Sequence, residues 1–242
     1  AFDPVTGEIS GTIAAGASGP TGRADYSVSV TADDGNGGVA TVTFTLTAVN
    51  IAPVANGDAA VTTEDTPVDI PVLANDSDAD GDGVAVIRVN NVTLTPGVPV
   101  TVTDGTVTLV TVGGVQNLRF TPNPDFHGAT TFSYSIGDGN GGFDDAVVSI
   151  NVAASNDAPV VASPAPDRTH ADSASVSFDI STYFSDIDGD DLDYTVTGLP
   201  PGLVYDAETG TISGTIASNA SQGGTSGVYT VTLVARDPFG AQ

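Results

Sequence analysis

The chain has 242 residues, 30 acidic and 5 basic side chains, a formal charge of −25, and no cysteine, methionine or tryptophan. The five cations are all arginine (Arg23, Arg88, Arg119, Arg168, Arg236), and the acids are aspartate except for Glu8, Glu64 and Glu208. This excludes a coiled coil, which needs Glu and Lys, a nucleic-acid partner, which needs a basic patch, and disulfide or thiolate-metal staples.

Hydrophobic residues make up 40% of the chain and recur in ordered alternation, which argues against disorder. No apolar run nears the roughly 20 residues that span a bilayer. Ala1-Phe2-Asp3-Pro4 has neither the basic start nor the apolar core of a secretory signal.

In chain order, the first signal is a repeat. Residues 2–14 return at 205–217 with an offset of 203: Phe2 falls on Tyr205, Ile9 on Ile212, Tyr26 on Tyr229, Asp34 on Asp237 and Gly37 on Gly240. Tyr26/Val28/Val30 and Val42/Phe44/Leu46 alternate with Ser and Thr, the period of a half-buried strand. Asn50-Ile51-Ala52-Pro53-Val54 then recurs as Asn156-Asp157-Ala158-Pro159-Val160, and the proline ends each preceding strand.

These linkers divide the chain into 1–50, 51–155 and 156–242. The first piece reads as the C-terminal half of a module, the second as a complete module, and the third as a module lacking its last strand. The chain therefore reads as an excerpt from a longer tandem array.

Phe132/Tyr134/Ile136, Val148/Ile150/Val152, Val176/Phe178/Ile180 and Tyr229/Val231/Leu233 repeat the strand period, and no stretch has helical period with caps. Seven or eight short strands in 51–155, separated by Gly, Pro, Asn and Asp turns, predict an all-β fold. The expected modules are antiparallel Greek-key β-sandwiches of immunoglobulin type, arranged in tandem as an elongated rod.

The acids cluster in three recurring motifs. Asp78, Asp80 and Asp82 fall on Asp186, Asp188 and Asp190. Asp34, Asp138 and Asp237 each close a strand. Asn50, and Asn156 with Asp157, stand in the linkers. Paired carboxylates repel, and a hard divalent cation reverses that sign. Ca²⁺ takes six to eight oxygens in flexible geometry, and Asp-Gly loops can supply them. Zinc is disfavoured by the lack of Cys and the two His. An EF-hand is disfavoured because position twelve from Asp76 is Ile87, with no flanking helices. A single Asp-Gly pair is an ordinary turn, and Asp104, Asp167 and Asp172 read that way. Repetition at equivalent places favours calcium.

Together, the Asn-Asp-Ala-Pro-Val linker, the Asp-x-Asp loop and the Val-x-Ala-x-Asp strand ending resemble cadherin-type repeats. Thr63-Glu64-Asp65-Thr66-Pro67, Val72-Leu73-Ala74-Asn75-Asp76 and Phe120-Thr121-Pro122-Asn123-Pro124 make 51–155 similar to the cadherin-like modules of giant bacterial calcium-binding (RTX-type) adhesins. Gly198-Leu199-Pro200-Pro201-Gly202-Leu203 and the Asp206-to-Gly214 segment make the outer modules similar to the dystroglycan type.

The resemblance implies calcium at both junctions. Glu64, Asp65, Asp125, Asn156, Asp157, Asp186, Asp188, Asp190 and Asp237 would serve one; Asn50, Asp78, Asp80, Asp82 and Asp138 would serve the other, with Asp34 the counterpart in the first module. Ile51 replaces the linker Asp, so the first junction is expected to bind more weakly or to be built differently.

The resemblance also implies a calcium-rigidified stalk of an extracellular bacterial adhesin or filament. Its partners would be calcium, neighbouring modules and other copies. The competing reading is a glycan- or protein-binding tip, against which the low aromatic content argues. An enzyme using two carboxylates fits poorly with motifs repeated per module, and His127 and His170 have no evident nucleophile partner.

Overall fold

The computed structural model describes residues 2–242. The chain divides into two compact units, Ala1–Ala154 and Ser155–Gln242.

Unit 1 opens with a loop closed by an isolated bridge between Phe2 and Ile9. Two eleven-residue strands follow, β1 (Arg23–Asp33) and β2 (Val39–Val49), paired antiparallel along their whole length. The alternation sorts the side chains. Val28 stands opposite Phe44 and Tyr26 opposite Leu46 on one face, while on the other Ser29 and Thr31 hydrogen-bond Thr43 and Thr41 at 3.1 and 3.0 Å. The ribbon is a sheet of its own, so Phe44 and Leu46 remain 40% and 46% exposed. Two strands cannot enclose a core alone.

The rest of unit 1 is a two-sheet sandwich. Its strands are β3 (Asp58–Thr63), β4 (Val68–Ile70), β5 (Ala85–Val89), β6 (Val92–Thr93), β7 (Val100–Val102), β8 (Gly105–Val112), β9 (Val115–Pro122), β10 (Gly128–Gly137) and β11 (Phe143–Ala153). One sheet has the order β3-β11-β10-β5-β6 and the other β4-β9-β8-β7. Inward residues of both sheets form one core, with Leu118, Phe120, Ile136 and Val148 fully buried. One pairing departs from the antiparallel expectation: β3 and β11 run parallel. They are the first and last strands of the module, so no short turn has to join them. Tyr134 is buried with its hydroxyl donating to Asn56 O at 2.8 Å, which satisfies the polar tip of an otherwise apolar group.

Unit 2 comprises β12 (Val160–Val161), β13 (Ser175–Asp179), β14 (Phe184–Ser185), β15 (Asp193–Thr197), β16 (Leu203–Asp206), β17 (Thr211–Thr215) and β18 (Thr232–Arg236). They form β12-β14, β13-β17-β16 and β15-β18 sheets around Ile180, Tyr183 and Ile212. The repeat shows in the pairing. Tyr205 stands opposite Ile212, as Phe2 stands opposite Ile9. In both turns the aspartate after the aromatic accepts a backbone N–H two residues on, Asp3 from Val5 at 2.8 Å and Asp206 from Glu208 at 2.9 Å.

Candidate metal centre

The site is built from three local devices, the first being a carboxylate that nucleates a loop. Asp138 follows β10, and its Oδ1 accepts the backbone N–H of Asn140 (2.7 Å) and Gly142 (3.0 Å). Asp34 does the same for Asn36 and Gly38 (2.8 and 2.9 Å), and Asp237 for Phe239 and Ala241 (both 2.9 Å). These Asx-type turns reverse the chain with a short acidic side chain in place of a ladder. Gly142 is required: a Cβ there would collide with the Asp138 carboxylate and press on Ala52 and Asn50.

The second device is the linker amide. Asn50 Nδ2 donates to Asp138 Oδ2 at 2.6 Å, and Asn156 Nδ2 donates to Asp237 Oδ2 at 2.7 Å. Both aspartates are buried as a result, at 6% and 4% exposure. Among the described residues no such amide meets Asp34, which is exposed. Burial pushes the Asp138 acid up, but the donors on Asn50, Asn140 and Gly142 outweigh it and hold it below the ordinary carboxylate range. The Asn156 amide is the largest cause of the same downward shift at Asp237.

The third device is the triple-Asp loop. In unit 1, one carboxylate oxygen from each of Asp78, Asp80 and Asp82 lies within 4.8 Å of the others; in unit 2, Asp186, Asp188 and Asp190 do the same. Each loop grips the linker backbone. The Ile51 N–H donates to Asp80 Oδ2 at 3.0 Å, and the Asp157 N–H donates to Asp188 Oδ2 at 2.8 Å. The first junction therefore keeps the backbone half of the motif although Ile51 brings no carboxylate. The neighbouring Asp78 carboxyl first, and then the Ile51 N–H, hold Asp80 low, while burial and the neighbouring Asp80 push Asp78 up. Burial and the charges of Asp186 and Asp188 push Asp190 up.

The donor set fits a hard cation. Asp78 Oδ2, Asp80 Oδ1 and Asn50 Oδ1 in unit 1, and Asp186 Oδ2 and Asp190 Oδ2 in unit 2, are out of solvent and find no N–H or O–H donor among the described residues. Buried acceptors of this kind are costly unless a donor or a cation meets them. All are oxygens, the ligand type of Ca²⁺.

Three predicted residues lie elsewhere in unit 1. Glu64 and Asp65 follow β3, and Asp125 precedes β10; the Asp125 N–H donates to Asp65 Oδ1 at 3.3 Å. Glu64 is buried, with His127 Nδ1 at 3.6 Å from its Oε2. The ten residues of β10, about 33 Å of strand, separate this group from Asp138.

Two participants went unnoticed in the sequence. Asn140 Nδ2 donates to Asp82 Oδ2 at 2.6 Å, tying the strand-end loop to the triple-Asp loop. Asp144 Oδ2 accepts the Ala55 N–H at 2.9 Å. The first was within reach, since Asn36 repeats Asn140 in the same Asp-Gly-Asn-Gly-Gly motif. The second has no sequence signal.

Residues 50–151 match the family described as Bacterial Ig domain, and residues 158–242 match the family described as Putative Ig domain. The chain matches no curated protein. Among solved structures it is similar to an endo-fucoidan hydrolase from glycoside hydrolase family 107, at 19% identity over 88% of this chain and 34% of that one, with a TM-score of 0.33. It is also similar to the human desmocollin-1 ectodomain, at 13% identity over 90% and 45%, with a TM-score of 0.46. A third is mouse clustered PcdhgC3 EC1-3, at 9% identity over 89% and 76%, with a TM-score of 0.40. The chain spans only about a third of the hydrolase and less than half of desmocollin-1. At these scores the structural likenesses carry no argument. Among the described residues no helix is long and apolar enough to cross a membrane. The two family matches, set on the β-sheets of both units, make this an all-β chain of immunoglobulin-like repeat modules.

Proposed function

We propose that this chain is a calcium-stiffened structural segment of an extracellular bacterial adhesion protein. One observation carries the reading: the same linker-amide, strand-end and triple-Asp arrangement is built twice, once in each unit, with carboxylate oxygens that no donor among the described residues meets. The linker backbone is hydrogen-bonded to that loop in both places. A cation held by Asp78, Asp80, Asp82 and the Asn50 carbonyl oxygen would fix residues 50–51 to the module that follows. Asp186, Asp188 and Asp190, with Asn156 and Asp157, would do so in unit 2. Glu64, Asp65 and Asp125 are offered as a further acidic group at the other end of the 58–153 module. Asp138 and Asp237 spend their oxygens on the loop and the linker amide, so they orient Asn50 and Asn156; Asp34 shapes its own hairpin.

Extracellular calcium modules bind with Kd of about 10⁻⁴ to 10⁻³ M, so calcium outside a cell would fill these sites. Calcium titration followed by thermal melting tests the reading. The expected result is a rise in Tm that chelator reverses, reduced in Asp80→Asn and in Asp188→Asn. An unchanged Tm at millimolar calcium would remove the proposal. Small-angle scattering should show a narrower range of maximum dimensions with calcium than with chelator.

A further inference from the structure

Within the triple-Asp loop of unit 1, each carboxylate spends one oxygen on an N–H. Asp78 Oδ1 accepts the backbone N–H of Asp80 at 3.0 Å and of Asp82 at 3.3 Å. Asp80 Oδ2 accepts the Ile51 N–H at 3.0 Å. Their other oxygens, Asp78 Oδ2 and Asp80 Oδ1, are out of solvent and meet no donor among the described residues. Asp82 completes the pattern through a side chain: Asn140 Nδ2 donates to its Oδ2 at 2.6 Å.

Unit 2 builds the same loop with one difference. Asp186 Oδ1 accepts the Asp188 N–H at 3.0 Å, and Asp188 Oδ2 accepts the Asp157 N–H at 2.8 Å. The place of Asn140 belongs to Phe239. In both strand-end loops the initiating aspartate accepts the N–H of that residue, and a glycine at positive φ follows, Gly141 at 98° and Gly240 at 95°. A phenyl ring has no N–H to give. Asp190 Oδ2, in the unit 2 loop, is out of solvent and meets no donor among the described residues.

The linkers differ in the opposite sense. Ile51 brings no carboxylate where Asp157 brings one. One junction thus has an orienting amide and no linker acid, and the other has a linker acid and no orienting amide.

We propose that Asn140 is a positioning residue for the divalent cation of the first junction, holding Asp82 in place through Oδ2 and offsetting the carboxylate that Ile51 lacks. The inference rests on the calcium reading above. Carboxylates within 4.8 Å of one another repel, which drives the least restrained of them toward water. A cation must then reorder that side chain when it binds, at a cost in conformational entropy. An amide donor orders it beforehand. Being neutral, the amide leaves the negative charge of Asp82 intact for the cation, whereas an arginine at the same place would neutralise it. Donors that orient a ligand in this way are worth about 10–100-fold in metal affinity.

The test uses the full chain and calcium alone, followed by NMR. The Ile51 and Asp157 amide signals each report one triple-Asp loop. Asn140→Ala removes the side-chain donor and keeps the backbone N–H that Asp138 accepts, so the backbone signals of residues 140 and 142 should show the loop intact. The calcium concentration at half-change of Ile51 should rise by about 10–100-fold, while that of Asp157 stays put. Phe239→Ala should move neither. In the wild type, the Asn140 side-chain amide signals should remain those of a hydrogen-bonded group when calcium is added, because orientation and binding coexist.

An unmoved Ile51 half-point in Asn140→Ala would overturn the role of Asn140. So would a matching loss at Asp157 in Phe239→Ala, which would make this a loop-shape effect, or release of the Asn140 amide by calcium, which would make it a competitor of the ion. Each of these leaves the calcium reading standing. Wild-type signals that ignore calcium at both loops would remove that reading and this inference together.

Discussion

Asp138 shows how one side chain converts a turn into a junction. Its Oδ1 holds the loop and its Oδ2 holds Asn50, so the two oxygens join a strand end to a linker. Hydrogen bonds to a charged group contribute about 1.5–3 kcal/mol. Asp138→Asn should therefore destabilise unit 1 by about that amount at neutral pH, read by chemical denaturation. The sign with pH follows from the downward shift. A carboxylate held low in the fold contributes stability above its ordinary pKa of about 4 and loses it as pH falls through the folded value. The difference between wild type and Asp138→Asn should thus vanish in acid. Asp78 and Asp190 have the opposite sign: their raised acids burden the ion-free fold at neutral pH and cease to do so as pH falls through their folded pKa. Calcium needs them ionised, so its affinity should fall first through these two on acidification, measured by calorimetric titration. Gly142→Ala should displace Asp138 and, with it, the proposed ligand Asn50, and so weaken calcium binding while leaving every carboxylate of the triple-Asp loop in place.

At the scale of elements, similar alternation has two fates. β10 and β11 are half-buried strands in a closed sandwich, whereas β1 and β2 carry the same pattern with one face bare. Ile136→Ala should cost about 2–5 kcal/mol, as buried Ile truncations do, because Ile136 is fully buried. Phe44→Ala in the monomer should stay near the roughly 0.5 kcal/mol of a surface change. Equal losses at the two positions would show that the ribbon is covered in solution. The strands themselves were legible: Val42/Phe44/Leu46 and Val148/Ile150/Val152 lie in β2 and β11, as the period-2 pattern required. The parallel β3–β11 pair was not, because alternation identifies faces and carries no strand direction.

Across the whole molecule, the charge of −25 is organised. Many aspartates stand in two repeated junction devices, one per unit, and the remainder shape turns. Two compact units predict two melting transitions by calorimetry, each raised by calcium if each device binds it. Variants should then separate them: Asp80→Asn should lower only the calcium response of unit 1, and Asp188→Asn only that of unit 2.

The sequence alone determined the all-β class, the strand faces, the repeat and the grouping of Asp78/Asp80/Asp82 and Asp186/Asp188/Asp190. Each of these is written in short-range spacing that a pleat or a tight loop translates directly into geometry. Only the tertiary structure decided what each acid does. Asp138 and Asp237 carry the same Asp-Gly or strand-end signature as Asp34, yet they are buried under linker amides while Asp34 stays in water. That difference depends on two asparagines, Asn50 at 88 residues from Asp138 and Asn156 at 81 from Asp237 along the chain. No local pattern records a contact over that separation, because folding, not spacing, brings the partners together.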